Sequence, residues 1–354
     1  NKNDIDRHMK YSKNYYRIRS VYQAKRRTKK WKKRKYNAKL QRARKIQSIQ
    51  RYQQKSYEDF EAPKKFNFID NTDEVLEYLE RCNNAFKKKS KVNFNIEEIE
   101  ELTPDAINLL VASINDPKFT FNGSYIGNAP KDKKLNKLFT ASGFYNFVSS
   151  SSLVKQNIDV KNNLLHKETD YKVRPLIAKG ICIKGLEHVT NSNQPFEPLY
   201  EILIEAMQNT NNHASAVKGD KTKWWTYVYN DPETGNSIYS FLDLGVGIFD
   251  SIVVKTYLQK QAQKIGLHHN VNYVKDLLDG KIQSRIEEDN EIRGKGIPQI
   301  VNNAQLDCFK RFYIVSNNVK IDVKNKIGIK LNSNFSGTFL YWELQKGNCY
   351  GNQR

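Results

Sequence analysis

Glu205 and Asn209 stand four residues apart in LYEILIEAMQNTNNHA, on one side of a helix whose Leu199, Ile202, Leu203 and Ala206 form the apolar face. An Asn oxygen suits Mg²⁺, a hard ion that keeps several waters and shares its shell with phosphates. A carboxylate one turn away can polarise a water for attack on a γ-phosphate, which makes Glu205 the catalytic candidate. In SFLDLGVGIFDSI, Ser240 to Leu244 reads as a strand ending in a turn with Gly245 and Gly247. A buried Asp243 at that end can accept the exocyclic amino proton of adenine, and the glycines let the base approach the backbone. In RGKGIPQIVNNA, Gly294 and Gly296 precede a helix whose free amides can cradle phosphates, flanked by Arg293 and Lys295. Taken singly, each pattern is equally a solvated helix face, a tight turn or a helix entry.

In combination they carry more. The order E-x-x-x-N, D-x-G-x-G-I, G-x-G-I, with NTNNHA ending the first box and SGTFLYWEL near the end of the chain, resembles the histidine-kinase-type (GHKL) ATPase superfamily over residues 175–346. The resemblance implies an α/β sandwich with helices on one face of a mixed, largely antiparallel sheet, and ATP and Mg²⁺ as cofactors. By the same likeness Asn209 would hold Mg²⁺, Glu205 would position water and Asp243 would read adenine beside Gly245 and Gly247. Gly294, Lys295 and Gly296 would cover the phosphates, and Thr338 would be the final G-T residue on a strand. Two departures stand out. Asn212 replaces a phosphate-binding Lys common in histidine kinases, and the segment corresponding to the mobile lid, residues 250–292, is long and carries the acidic patch Glu287, Glu288 and Asp289. His188 and His166 lack the neighbours of a phospho-acceptor, and the adjacent His268 and His269 lack a third metal ligand.

The elements ahead of these boxes predict a second α/β layer. FNFI, KVNFNI and FTFNGSYIG read as strands, interleaved with three helices. The first, TDEVLEYLERCNNAFKK, is amphipathic and capped by Thr72 or Asp73; TPDAINLLVASI has Thr103 as N-cap and Pro104 at its first position; DKKLNKLFTASGFYNFV closes the run. Over residues 63–150 this succession resembles the STAS domains of anti-sigma-factor antagonists, in which the residue starting the helix after the strand is often phosphorylated. That position is Thr103, whose first reading is a plain N-cap. The Ser- and Asn-rich stretch within residues 151–174 reads as a linker, and residues 347–354 as a tail.

The net charge of +21 is concentrated at one end. Residues 1–60 hold 21 Lys or Arg and four acids, whereas the other 294 residues hold 38 bases and 34 acids. No Gly or Pro interrupts residues 1–62, and Leu40, Ala43, Ile46 and Ile49 form a weak apolar stripe, so this is a basic helical or flexible arm. Lys25, Arg26, Arg27, Lys29, Lys30, Lys32, Lys33, Arg34 and Lys35 can meet phosphates, with Trp31 and Tyr36 available to stack on bases, so the arm is expected to bind RNA or DNA. A solubilising tail or an acidic protein contact is the competing reading. Four scattered cysteines argue against a zinc site or disulfide framework. The absence of a long apolar run points to a cytoplasmic protein without membrane contact. The expected function is a Mg-ATP-binding, ATP-hydrolysing regulatory switch with a nucleic-acid-binding arm and a partner protein at the STAS-like layer, in bacterial antiviral defence or stress signalling. The alternatives are a protein Ser/Thr kinase of the anti-sigma-factor type and a scaffold with structural ATP.

Overall fold

A chain of 53 residues without Gly or Pro forms one uninterrupted helix, α1 (Lys2–Gln54), in the computed structural model of the protein. The structure describes residues 2–54, 56–149, 158–168, 172–191, 194, 196–213, 222–251, 269–282 and 296–346. These fall into two units, residues 1–56 and 57–354. Every side chain of α1 from 15 to 42 is exposed, Leu40 of the expected apolar stripe included.

The second unit is mixed α/β and starts six residues before the expected boundary at 63, because β1 (Tyr57–Glu61) pairs in parallel with β3 (Lys91–Asn95). Between them lie β2 (Lys65–Phe66) and α2 (Thr72–Lys87). After β3 come β4 (Glu101–Leu102), α3 (Pro104–Ile114), α4 (Pro117–Thr120), β5 (Tyr125–Gly127), α5 (Lys133–Ala141) and a 3₁₀ turn at Phe144–Asn146. Strands β1, β3 and β5 form a parallel sheet in the order β1-β3-β5, and β2 pairs with β4.

Several local expectations are corrected. FNFI keeps only Phe66 in a strand, since the Asn67 side chain accepts the Asp70 amide at 2.9 Å and turns the chain. FTFNGSYIG is not a single strand: Pro117 and the Asp116 carboxylate, which accepts the Lys118 amide, start α4 instead. The last helix stops at Ala141 because Gly143 takes φ 89°. Asn71, not Thr72 or Asp73, is the N-cap residue of α2. Thr72 donates to Phe68 O at 2.8 Å, and Asp73 accepts the amides of Asn332 and Ser333.

The stretch expected as a linker, 151–174, contains β6 (Asn163–Lys167). It is followed by α6 (Pro175–Thr190), α7 (Glu197–His213), β7 (Trp224–Asn230), β8 (Ser237–Asp243) and α8 (Ile248–Ser251). Next come a 3₁₀ turn at Asn270–Tyr273, α9 (Val274–Leu278), α10 (Gly296–Ala304), β9 (Phe309–Asp322) and β10 (Ile327–Leu344). The five strands form one sheet in the order β6-β7-β8-β10-β9, and each neighbouring pair is antiparallel.

Alternation along these strands sends residues to two cores. Val228, Tyr239, Phe241, Ile314, Leu340 and Trp342 pack with α6, α7 and α10. Trp225, Tyr227, Leu242, Val315, Phe339 and Tyr341 pack with α2, α3 and the small sheet. The sheet is therefore covered on both faces, where the family likeness implied one. Helix α3 explains how: all eleven of its residues are buried, and its Asn108 Nδ2 donates to Ser240 Oγ at 2.9 Å. A helix buried around its whole circumference must lie between two layers. Residues 63–150 and 175–346 thus share a core within one unit.

Candidate functional site

Strand pairing sets Trp224, Asp243, Thr338 and Ser316 side by side across β7, β8, β10 and β9. They form a polar row at one end of the sheet face that α6, α7 and α10 cover; the next row inward, Thr226, Phe241, Leu340 and Ile314, is mostly apolar. Asp243 is buried, with Oδ1 accepting the Gly245 amide at 2.9 Å and Oδ2 accepting the Thr210 hydroxyl at 3.2 Å. Burial lifts its carboxyl to about 6, a rise held back by those bonds and by one from the Thr338 backbone. Thr210 follows Asn209 directly on α7, so its bond ties the first box to the second.

The third box arrives from the other side. A Cβ placed on Gly296, the first residue of α10, would lie 2.6 Å from Glu205 Oε2 and 3.3 Å from Asn209 Oδ1. Glycine is what lets the α10 N-terminus approach these side chains so closely. Burial, and then the neighbouring Glu201, raise the Glu205 carboxyl pKa above its usual range. Glu201 is itself held by Asn303 Nδ2 of α10 at 2.8 Å. Glu205, Asn209, Thr210, Asp243 and Gly296 thus converge although they span 92 positions of the sequence.

The turn after Asp243 is clamped by β9. Ser316 Oγ accepts the Ile248 amide at 2.8 Å and donates to Gly337 O at 2.7 Å. Asn317 Oδ1 accepts the Phe249 amide at 3.0 Å, while its Nδ2 donates to Val246 O at 2.9 Å. Gly247, at φ 83°, has no room for a Cβ against Asn317, and Gly337, at φ 140°, none against the Asp243 carbonyl. The irregular register of β9 and β10 around Asn317 and Phe335 makes this clamp.

Sequence reasoning missed Thr210, Ser316 and Asn317. For Thr210 a signal existed, since a buried Asp243 needs donors and a hydroxyl stood next to Asn209. Trp224 was also missed: its ring stacks on Phe241 at 5.2 Å, and its buried Nε1 has no hydrogen-bond partner among the described residues. Gly294, Lys295, Arg293, His268 and the acidic patch Glu287 to Asp289 lie outside the described residues, as does the side chain of Asn212. Of the expected lid, residues 250–251 and 269–282 are described, and Val274, Leu277 and Leu278 belong to the core.

Two histidines have structural surroundings. His188 Nε2 lies 3.0 Å from Asp231 O, and His166 packs on Trp224, with burial lowering its pKa. Thr103 does not cap α3 with its side chain, and its Oγ1 is shielded from solvent. The nearby Asp105 carboxylate instead accepts the amides of Phe68 and Ile69, each at 3.0 Å.

In the other unit, Lys25, Arg26, Arg27, Lys29, Lys30, Trp31, Lys32, Lys33, Arg34, Lys35 and Tyr36 are all exposed on α1. The Lys35 ammonium sits 5.0 Å from the centre of the Trp31 ring. Among the described residues no helix is long and apolar enough to cross a membrane, and no cluster of His, Cys, Asp or Glu could hold a metal ion. No protein-family model and no curated protein sequence matches the chain.

Proposed function

We propose that residues 57–346 form a Mg-ATP-binding switch whose nucleotide half, 175–346, is of the histidine-kinase type and is preceded by a STAS-like layer, and that the basic arm engages nucleic acid. The observation that carries this reading is the convergence of Glu205, Asn209, Asp243 and Gly296, joined through Thr210, at one end of the five-stranded sheet. The residues fit the ligand: a buried carboxylate for an amino donor, a glycine cradle at a helix N-terminus, and an amide oxygen beside a carboxylate. Mg-ATP, when bound, supplies the phosphoryl group and the charge that polarises it.

Asp243 would orient the base, Asn209 would donate its oxygen to the metal, and Glu205 would accept the proton of an attacking water. The raised pKa of Glu205 brings it nearer the range in which a carboxylate is an effective base. The shielded Thr103 hydroxyl weighs against phosphorylation of that residue. The shared core weighs against a hinge between 63–150 and 175–346, so the switch would act through the lid and the arm.

The test is calorimetric titration of Mg-ATP onto the protein and its Asn209→Ala variant. The variant is expected to lose affinity on the order of tenfold or more, about 1.4 kcal/mol. Equal affinity would remove the assignment.

A further inference from the structure

Between Lys25 and Lys35, nine of eleven residues are Lys or Arg, broken by Thr28 and Trp31. All eleven are helical and exposed. At about 100° per residue these charges are distributed around the circumference, leaving no apolar side for a coiled coil or a membrane. The block rises about 16 Å, roughly one positive charge per 1.8 Å. Duplex DNA carries about one negative charge per 1.7 Å of axis, so the two linear charge densities match.

Such a helix is under strain by itself. Lys25 and Lys29, Arg26 and Lys30, Lys29 and Lys33, and Lys30 and Arg34 are like charges one turn apart, a spacing that destabilises a helix. Residues 1–56 hold only Asp4 and Asp6 against 21 bases. Two acids cannot neutralise that many bases, whereas a polyanion would offset the repulsion. The shape narrows the polyanion further. A helix about 10–12 Å across fits the roughly 12 Å major groove of B-form DNA. The major groove of A-form RNA is deep and narrow, and a helix does not enter it.

We infer that α1 is a duplex-DNA-binding helix, seated in the major groove through Lys25–Lys35, whose helical state is stabilised by the phosphates on both groove walls. This rests on the nucleic-acid reading of the arm and sharpens it to one partner and one geometry. Trp31 and Tyr36 then pack along the groove rather than between bases.

The experiment uses the full chain with a short DNA duplex, an RNA duplex and a single strand, reading affinity by anisotropy and helix content by circular dichroism. Thr28→Pro keeps every charge and breaks the helix; Thr28→Ala is its control. A second variant replaces Lys29, Lys30, Lys32 and Lys33 with Gln, which removes charge and favours helix. Wild type is expected to bind the DNA duplex tightest and to gain helix on binding. Thr28→Pro should weaken that binding roughly tenfold or more, and the Gln variant should flatten the log–log salt slope by about three to four. If only the Gln variant loses affinity, or if the RNA duplex or single strand binds as well as the DNA duplex, the groove-seated helix is overturned while the basic arm stands. If neither variant loses affinity, the nucleic-acid reading of the arm falls with it.

Discussion

Asp243 is a carboxylate kept dry at the end of a strand, and the cost shows in its pKa of about 6 against an ordinary 3.8. The folded chain therefore holds this proton more tightly than the unfolded chain does. Its contribution to stability is present below 3.8 and is lost as pH rises through about 6. Nucleotide binding should run the other way, because only the ionised carboxylate accepts from an amino group with full strength. ATP affinity is expected to rise as pH increases through about 6, with that step absent in Asp243→Asn. Titrations of both proteins share any protonation of ATP itself, so identical pH profiles would take Asp243 out of the base site. Glu205 supports a second expectation. Glu205→Gln should bind Mg-ATP about as well as wild type while phosphate release falls roughly 10²–10⁴-fold, the usual contribution of a general base. Because the Glu205 carboxylate is the flexible neighbour of the missing Cβ, Gly296→Ala should displace it rather than unfold the chain, and so lower turnover with little loss of melting temperature.

At the scale of elements, the site rests on a clamp that the sequence conceals. The boxes on α7 and β8 were legible because each is a local pattern: an apolar stripe at Leu199, Ile202, Leu203 and Ala206, and glycines just after a strand. Ser316 and Asn317 were not, because their role is set by pairing with a bulged strand some twenty residues away and by amides near 248. Strand β6 was hidden by its polar Asn- and Lys-rich surroundings, and it earns its place at the sheet edge through backbone pairing with β7. The burial of α3 was readable in retrospect, since Ala106, Ile107, Leu109, Leu110, Val111 and Ile114 cover most of its circumference. What no local pattern states is which second layer will cover it. Gly337 tests the clamp. Its positive φ and the adjacent Asp243 carbonyl leave Gly337→Ala strained, by roughly 3 kcal/mol if backbone strain and displacement add in the usual way. Urea unfolding should show a lower midpoint with an unchanged slope, and a midpoint equal to wild type would mean that β10 bends at no cost.

For the molecule as a whole, the shared core decides what can move and what must fold together. The sheet face opposite the candidate site carries Trp225, Tyr227, Leu242, Val315, Phe339 and Tyr341, all covered by α2, α3 and the small sheet. Side chains of this kind bury roughly 1,000 Å² together, and uncovering half of that costs on the order of 12 kcal/mol at about 25 cal/mol/Å². A domain's whole stability is about 5–15 kcal/mol, so residues 158–346 should not persist without residues 57–149. The arm forms a separate unit, and its apolar residues between Tyr15 and Leu40 are exposed. Calorimetry of the full chain should accordingly show one transition for residues 57–346, at the same temperature after deletion of residues 1–56. Leu110→Ala, in the core on the sheet face opposite the candidate site, should lower that single transition by roughly 2–5 kcal/mol of stability. Mg-ATP should raise the same transition by mass action, and the shift should survive in the Leu110→Ala background. Two resolved transitions, with only one responding to Mg-ATP and the other to Leu110→Ala, would show that the layers fold independently. A nucleotide-driven hinge between them would then replace a switch confined to the lid and the arm.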